Sequence, residues 1–180
     1  MKMTYICSPC RGDYEKNIIK AQEYCLEAMN EGLLPIAPHV YFTQFIDDTN
    51  KKERMKGLEA GLQLLRYCQL IRVYGCKVSS GMRGEIQLAG VLGIEIEVYG
   101  PPEFIERVMA IYHKAAVVQL PDLNLDPAAA AAGISAGASA AAPVLKVDLE
   151  KTQACELVHK IEEMAAGGNL FTGILRGATD

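Results

Sequence analysis

The sequence has no basic stripe, no long apolar run and no apolar leader segment, and each absence excludes a class of protein. Acidic residues (22) outnumber Lys and Arg (18), and both signs are scattered along the 180 residues. Polynucleotide binding depends on neutralising phosphates, so we expect no nucleic-acid polymer as a partner. No apolar stretch approaches the roughly 20 residues that cross a bilayer, and residues 1–7 lack the apolar core of a signal peptide. We therefore expect a cytoplasmic protein that does not contact membranes.

The first two thirds of the chain alternate between strand-like and helix-like patterns. The β-prone runs are 3–7, 33–37, 69–74 and 94–99, and the helical periodicities are 14–31, 49–67, 82–92 and 101–114. This alternation predicts an α/β fold: a flavodoxin-like or Rossmann-like three-layer sandwich with a mainly parallel sheet of four or five strands. A fifth strand is predicted at 117–120. Pro35 places the second strand at a sheet edge, and the apolar–acidic alternation of 94–99 predicts one exposed face.

The composition changes after Pro121, which divides the chain into three parts. Residues 1–120 form the predicted domain, and 121–147 are rich in Ala, Gly and Pro, which favours a flexible linker. Residues 148–180 are predicted to contain an amphipathic helix and a tail. Because a tethered amphipathic helix needs a partner surface, on its own domain or on a neighbouring subunit, we expect a homo-oligomer.

Ligands of parallel α/β sheets bind beyond the carboxyl ends of the strands. Three loops follow such ends here: 8–13, 38–48 and 75–82. The segment 38–48 is too apolar for a solvent-exposed loop and has no clean period, so we expect it to pack over the sheet near the ligand. The small residues Ser79, Ser80 and Gly81 would let backbone amides approach a ligand closely.

Glu85 lies about one turn into the helix that follows this Ser/Gly turn. A carboxylate there can face the crevice and attack a sugar carbon, as in covalent glycosyl transfer. The alternative is that Glu85 only interacts favourably with the positive helix end. In the first loop, Arg11 can pair with phosphate and Gly12 permits close approach, although an ordinary strand-to-helix turn has the same composition.

Four motifs in order resemble the bacterial and phage branch of the nucleoside 2-deoxyribosyltransferase-like family. They are Tyr5-Ile6-Cys7-Ser8-Pro9, the helix with Asn17 and Ala21, Pro35-Ile36-Ala37-Pro38-His39, and Ser80-Gly81-Met82-Arg83-Gly84-Glu85. The resemblance covers roughly residues 3–99 and implies a pocket for a nucleoside or nucleotide, without metal or cofactor. It maps the nucleophile onto Glu85, first-loop contacts onto Ser8, Pro9 and Gly12, and a serine near the sugar or phosphate onto Ser80.

One departure from that family bears on catalysis. Its transferases carry an acidic residue shortly before the nucleophile, whereas residues 75–79 here contain none. Leaving-group protonation contributes about 10²–10⁴-fold, so hydrolysis or pure nucleotide binding competes with base exchange. Asp47, Asp48 or His39 are candidate substitutes. The predicted substrate contacts are Ser8, Pro9, Arg11, Gly12, His39, Asp48, Ser79, Ser80, Gly81 and Arg83.

Cys7 and Cys10 form a CxxC motif at a strand-to-helix junction, which suggests a redox alternative. Cys7 fits better as the last buried strand residue than as an exposed thiol at a helix N-terminus. A zinc site using Cys7, Cys10, Cys76 and His39 lacks a second paired spacing and is a weaker alternative.

Overall fold

A computed structural model describes residues 1–117 and the backbone of Val144–Leu145. The strands are β1 (Met3–Cys7), β2 (Leu34–Ile36), β3 (Leu70–Tyr74), β4 (Glu95–Tyr99) and β5 (Val144–Leu145). The helices are α1 (Tyr14–Asn30), α2 (Pro38–Phe42), α3 (Lys51–Leu65), α4 (Ser80–Leu92) and α5 (Pro102–Val117). The predicted tail helix and most of the predicted linker lie outside the described residues.

The strands form one sheet in the order β2-β1-β3-β4-β5, and every neighbouring pair is parallel. This confirms the predicted α/β fold with a parallel sheet. The edge position predicted for the second strand is also confirmed, because among the described strands β2 pairs only with β1, which sets Pro35 beside Thr4. An edge strand tolerates Pro because its missing N–H faces away from the ladder.

The two helices that flank the site begin at side-chain caps. Asn50 accepts a hydrogen bond from the Lys52 amide at 3.0 Å and starts α3, and Ser79 accepts from the Met82 amide and starts α4. These side chains satisfy amides that have no acceptor within the helix. Gly93 then ends α4 in the left-handed conformation, with φ of 65°.

Apolar side chains pack against both faces of the sheet and make three layers. On one face, Tyr5, Cys7 and Ile71 belong to the core that α3, α4 and α5 cover. On the other, Ile6 packs with Ala28 of α1. Because successive strand residues point to opposite faces, β1 presents Tyr5 and Cys7 to the α4 side and Ile6 to the α1 side. Over residues 1–117, none of the helices combines the length and apolar character of a membrane span.

Three details differ from the sequence-based expectations. Residues 38–42 form a short helix, which Pro38 starts and in which the Thr43 hydroxyl bonds the His39 carbonyl. The strand β4 has no exposed face: Glu97 is buried because Arg72 and Tyr99 bond its carboxylate. The fifth strand of the sheet is Val144–Leu145, within the predicted linker. Of the strand predicted at 117–120, Val117 is instead the end of α5, and 118–120 lie outside the described residues.

Candidate active site

A cavity of about 110 Å³ lies beyond the carboxyl ends of β1, β2 and β3. This volume exceeds the ~15 Å³ that one water needs, so the cavity can hold part of a small organic ligand. All three loops expected at the ligand site contribute to its wall. Of the predicted site residues, the lining includes Ser8, Arg11, His39, Asp48, Ser79, Ser80, Gly81 and Glu85.

Glu85 extends from the second turn of α4 into the cavity wall, where two side chains of β1 hold its carboxylate. The Tyr5 hydroxyl donates to Oε1 of Glu85 at 2.9 Å, and the Cys7 thiol also hydrogen-bonds this carboxylate. Burial raises the pKa of Glu85, and the two hydrogen bonds lower it less than burial raises it. The result is a partly desolvated carboxylate that neutral donors orient.

Arg11, Asp48 and Arg54 form an ionic cluster in the same wall. The Nη1 atom of Arg54 donates to both carboxylate oxygens of Asp48, at 2.9 and 2.7 Å, and Arg11 Nε donates to Oδ2 at 3.2 Å. The side chain of Arg54 is 18% exposed, and that of Arg11 is 62% exposed. Two guanidiniums around one carboxylate leave a net positive charge, which favours an anionic or electron-rich ligand group.

His39 and Ser8 share a hydrogen bond of 3.0 Å between Nε2 and Oγ. Burial lowers the pKa of His39 to about 4, so the ring is neutral at pH 7. A neutral imidazole can accept or donate one hydrogen bond per ring nitrogen, but it holds no spare proton for a leaving group. His39 therefore suits ligand or serine positioning better than acid catalysis.

The amino end of α4 and an apolar wall complete the cavity. Ser80 and Gly81 occupy the first turn, where backbone amides lack acceptors within the helix and attract negative charge. The apolar part of the lining consists of Pro38, Phe42, Ile46, Leu58 and Met82. The cavity thus combines polar groups at one side with an apolar surface at the other, as small-molecule sites do.

Three predicted contacts lie outside this lining. Pro9 packs toward Gly75, where an added Cβ would meet its ring at 3.4 Å. Gly12 is exposed, with φ of 100°, and serves the turn between β1 and α1. Arg83 is exposed on the far side of α4 and lines a separate groove between α4 and α5. Asp47 is also outside, because its carboxylate caps the turn at Thr49.

Sequence reasoning missed Tyr5 and Arg54. A buried tyrosine hydroxyl needs a polar partner, so Tyr5 in a buried strand signals a nearby acceptor. Arg54 lies four residues before Leu58, on the apolar face of α3, where a cation without a partner would be costly. Both signals were present in the sequence, but neither identifies the partner, Glu85 or Asp48.

Burial disfavours the reactive thiolate form at both cysteines of the CxxC motif, Cys7 and Cys10. Cys7 is fully buried, and burial raises its pKa, with the nearby Glu85 adding to the effect. Burial also raises the pKa of Cys10. Reactive thiols need the opposite shift, toward the thiolate. In the part of the chain that the structure describes, no three His, Cys, Asp or Glu side chains meet as a metal site.

Comparisons with known proteins give one family match and a distant structural similarity. The family model described as "Domain of unknown function (DUF7768)" matches residues 2–99. A solved 2-deoxyribosyltransferase from Bacillus psychrosaccharolyticus aligns with a TM-score of 0.43 and 14% identity, over 54% of this chain and 71% of that chain. At this level the alignment assigns no activity to the chain. Curated proteins give no match.

Proposed function

We propose that this chain, which belongs to the DUF7768 family, binds a nucleoside or nucleotide and cleaves its glycosidic bond. The proposal rests on the residues of the cavity. The observation that carries the proposal is the Tyr5–Glu85 pair at the cavity wall, with 2.9 Å between the hydroxyl and Oε1. A carboxylate held by a neutral donor is oriented without being neutralised, which is what a nucleophile requires.

In the proposed reaction, a carboxylate oxygen of Glu85 attacks the anomeric carbon of the sugar. The bond from that carbon to the base nitrogen breaks, and its electron pair leaves with the base, which takes a proton from water. The glycosyl ester on Glu85 is then resolved by attack of water, giving the free sugar, or of a second base, giving a new nucleoside. Partial desolvation of Glu85 favours the attack, because less water must be removed from the nucleophile.

The remaining lining suits the other parts of such a ligand. Arg11 and Arg54, with the first amides of α4, can contact hydroxyl or phosphate oxygens. The apolar wall that includes Phe42 and Ile46 can contact the flat base. These assignments rest on the chemistry of the residues around one cavity and name no preferred base.

A second candidate function is nucleotide binding without turnover. It is favoured by the lack of a ready proton donor at His39, which lines the cavity. Burial keeps His39 neutral at pH 7, so this histidine has no spare proton for the leaving base. The carboxylate of Asp48 accepts hydrogen bonds from Arg54 and Arg11, which engage its oxygens. Without protonation of the leaving base, turnover falls by about 10²–10⁴-fold, while binding is unaffected.

Incubation with nucleosides and deoxynucleoside monophosphates, followed by chromatography of the free base, tests the proposal. Glu85→Gln should reduce product formation at least about a thousandfold, and Tyr5→Phe should reduce it less, because the carboxylate remains. Glu59→Gln, on the exposed side of α3, is the matched control and should keep full activity.

The result separates the two functions. Product formation that survives Glu85→Gln contradicts the nucleophile. Tight binding by calorimetry without product from the wild-type protein supports the binding function. An intact-mass adduct on Glu85 in acid-quenched wild-type reactions, absent from the Gln variant, would be direct support for the covalent step.

A further inference from the structure

Helix α1 has apolar residues on its outer face that the core does not use. Its inner face buries Ala21 and Ala28 completely, whereas Ile19, Leu26 and Met29 are 55%, 60% and 55% exposed. The spacing from Ile19 to Leu26 is two turns, and Met29 follows three residues later, so these side chains lie along one side of the helix. We define them as the α1 stripe.

Four charged residues on one flank of the α1 stripe have opposite signs in the two halves of the helix, whereas Glu15 lies in line with the stripe itself, one turn before Ile19. Lys16 and Lys20 lie in the first half, and Glu23 and Glu27 lie in the second, along the same flank of the stripe. In a twofold antiparallel pair of helices, each flank meets the same flank of the copy, running in the opposite direction. The basic half of one copy therefore lies beside the acidic half of the other.

We propose that α1 is a homodimer interface, in which the α1 stripes of two copies pack antiparallel about a twofold axis near Gln22. This axis sets Ile19 of each copy against Leu26 of the other. It also brings Lys20 of each copy within reach of Glu23 of the other, and both side chains are exposed in the single chain. A parallel pair would place like charges together at all four positions, whereas in the antiparallel pair only Glu23, next to the axis, lies beside its own copy. The charge pattern therefore favours the antiparallel arrangement.

This dimer does not depend on the glycosidic chemistry, and measurements of molecular mass in solution test it. Sedimentation or light scattering of the full chain, from low micromolar to near-millimolar concentration, should show a monomer–dimer equilibrium. A wide range is needed because a single helix pair buries less than the roughly 1,200 Å² of standard interfaces. Leu26→Glu should raise the dimer Kd at least about tenfold. Met55→Glu, at a 58% exposed site on α3, is the matched control and should leave it unchanged.

A charge exchange tests the antiparallel geometry itself. Lys20→Glu alone and Glu23→Lys alone should each weaken the dimer, because each places like charges together twice. The double variant Lys20→Glu with Glu23→Lys should restore wild-type association, since both copies are reversed together. A wild-type monomer at every concentration would overturn the proposal. So would a dimer that withstands Leu26→Glu, or a double variant as weak as the single ones.

Discussion

The two faces of the central sheet each enclose a carboxylate, but they treat it differently. On the α1 side, Glu97 receives Arg72 Nε at 2.7 Å and the Tyr99 hydroxyl at 2.8 Å, and Arg72 also pairs with Glu31. On the α4 side, Glu85 has a tyrosine and a thiol as its partners and borders a cavity. One carboxylate lies beside a cation, and the other is held by neutral donors.

This contrast separates a structural charge from a candidate reactive one. Burial lowers the pKa of Arg72, but the hydrogen bond to Glu31 and the nearby charge of Glu97 help to raise it by more than burial lowers it. The guanidinium therefore stays charged. For Glu85, burial raises the pKa and the neutral donors only partly oppose it. A buried ion pair neutralises itself and offers nothing to a ligand. A carboxylate without a neighbouring cation keeps its basicity, which is useful only where a substrate can reach it.

The largest expected effect is on the free energy of unfolding, through the Arg72–Glu97 pair on the α1 side of the sheet. Arg72→Met should lower the free energy of unfolding by about 3–5 kcal/mol, because it leaves Glu97 buried without its cation. Adding Glu97→Met should recover most of the loss, since both charges are then gone. Denaturant unfolding of the single and double variants measures this difference. A single variant within 1 kcal/mol of the wild type, in about the range of a surface change, would remove the distinction drawn between the two faces.

The sequence predicted the parallel sheet and most of its elements because helix and strand periods are local properties. The exposed face predicted for β4 was wrong because alternating apolar and acidic residues form the same pattern whether the acidic face contacts water or a buried arginine 25 positions away. The sequence located Glu85, Ser80 and His39 near one cavity because chain order and parallel pairing fix which strand ends meet. It could not find the Tyr5–Glu85 bond, which joins residues 80 positions apart and depends on side-chain directions.

A smaller effect is expected from the pH dependence of stability at Glu85. Its folded pKa is raised above the ordinary value of 4.5, so the folded state binds this proton more tightly than the unfolded state. That contribution is present below the ordinary pKa and is lost as pH rises through the folded pKa. Glu85→Gln lacks this loss, so the difference between its thermal midpoint and that of the wild type should increase as pH rises above 4.5.

Glu59→Gln provides the control for that experiment, because it removes the same formal charge from the exposed side of α3. Its midpoint should follow the wild-type pH profile. If Glu85→Gln also follows that profile, the carboxylate is not held in the desolvated state that distinguishes it from Glu97.

The smallest effect on stability is expected at two helical glycines, Gly84 in α4 and Gly61 in α3. A Cβ at Gly84 would meet nothing within 4 Å, so Gly84→Ala should stabilise the protein by about 0.5–1 kcal/mol through helix propensity. A Cβ at Gly61 would lie 3.1 Å from the Tyr5 hydroxyl and 3.7 Å from Pro38. Gly61→Ala should therefore gain less stability, because the hydroxyl must move by a few tenths of an ångström away from its position against Glu85.

Measured together, these glycine variants show how tightly the α4 side depends on one hydrogen bond. We expect Gly61→Ala to reduce ligand binding or product formation in the same direction as Tyr5→Phe, and Gly84→Ala to leave both unchanged. Unfolding free energies from denaturant titration, set beside the chromatographic assay, give both readouts on the same samples. If Gly61→Ala gained as much stability as Gly84→Ala and kept full function, Glu85 would not need the exact placement of Tyr5, and its orientation would have to come from Cys7 and the packing of α4 alone.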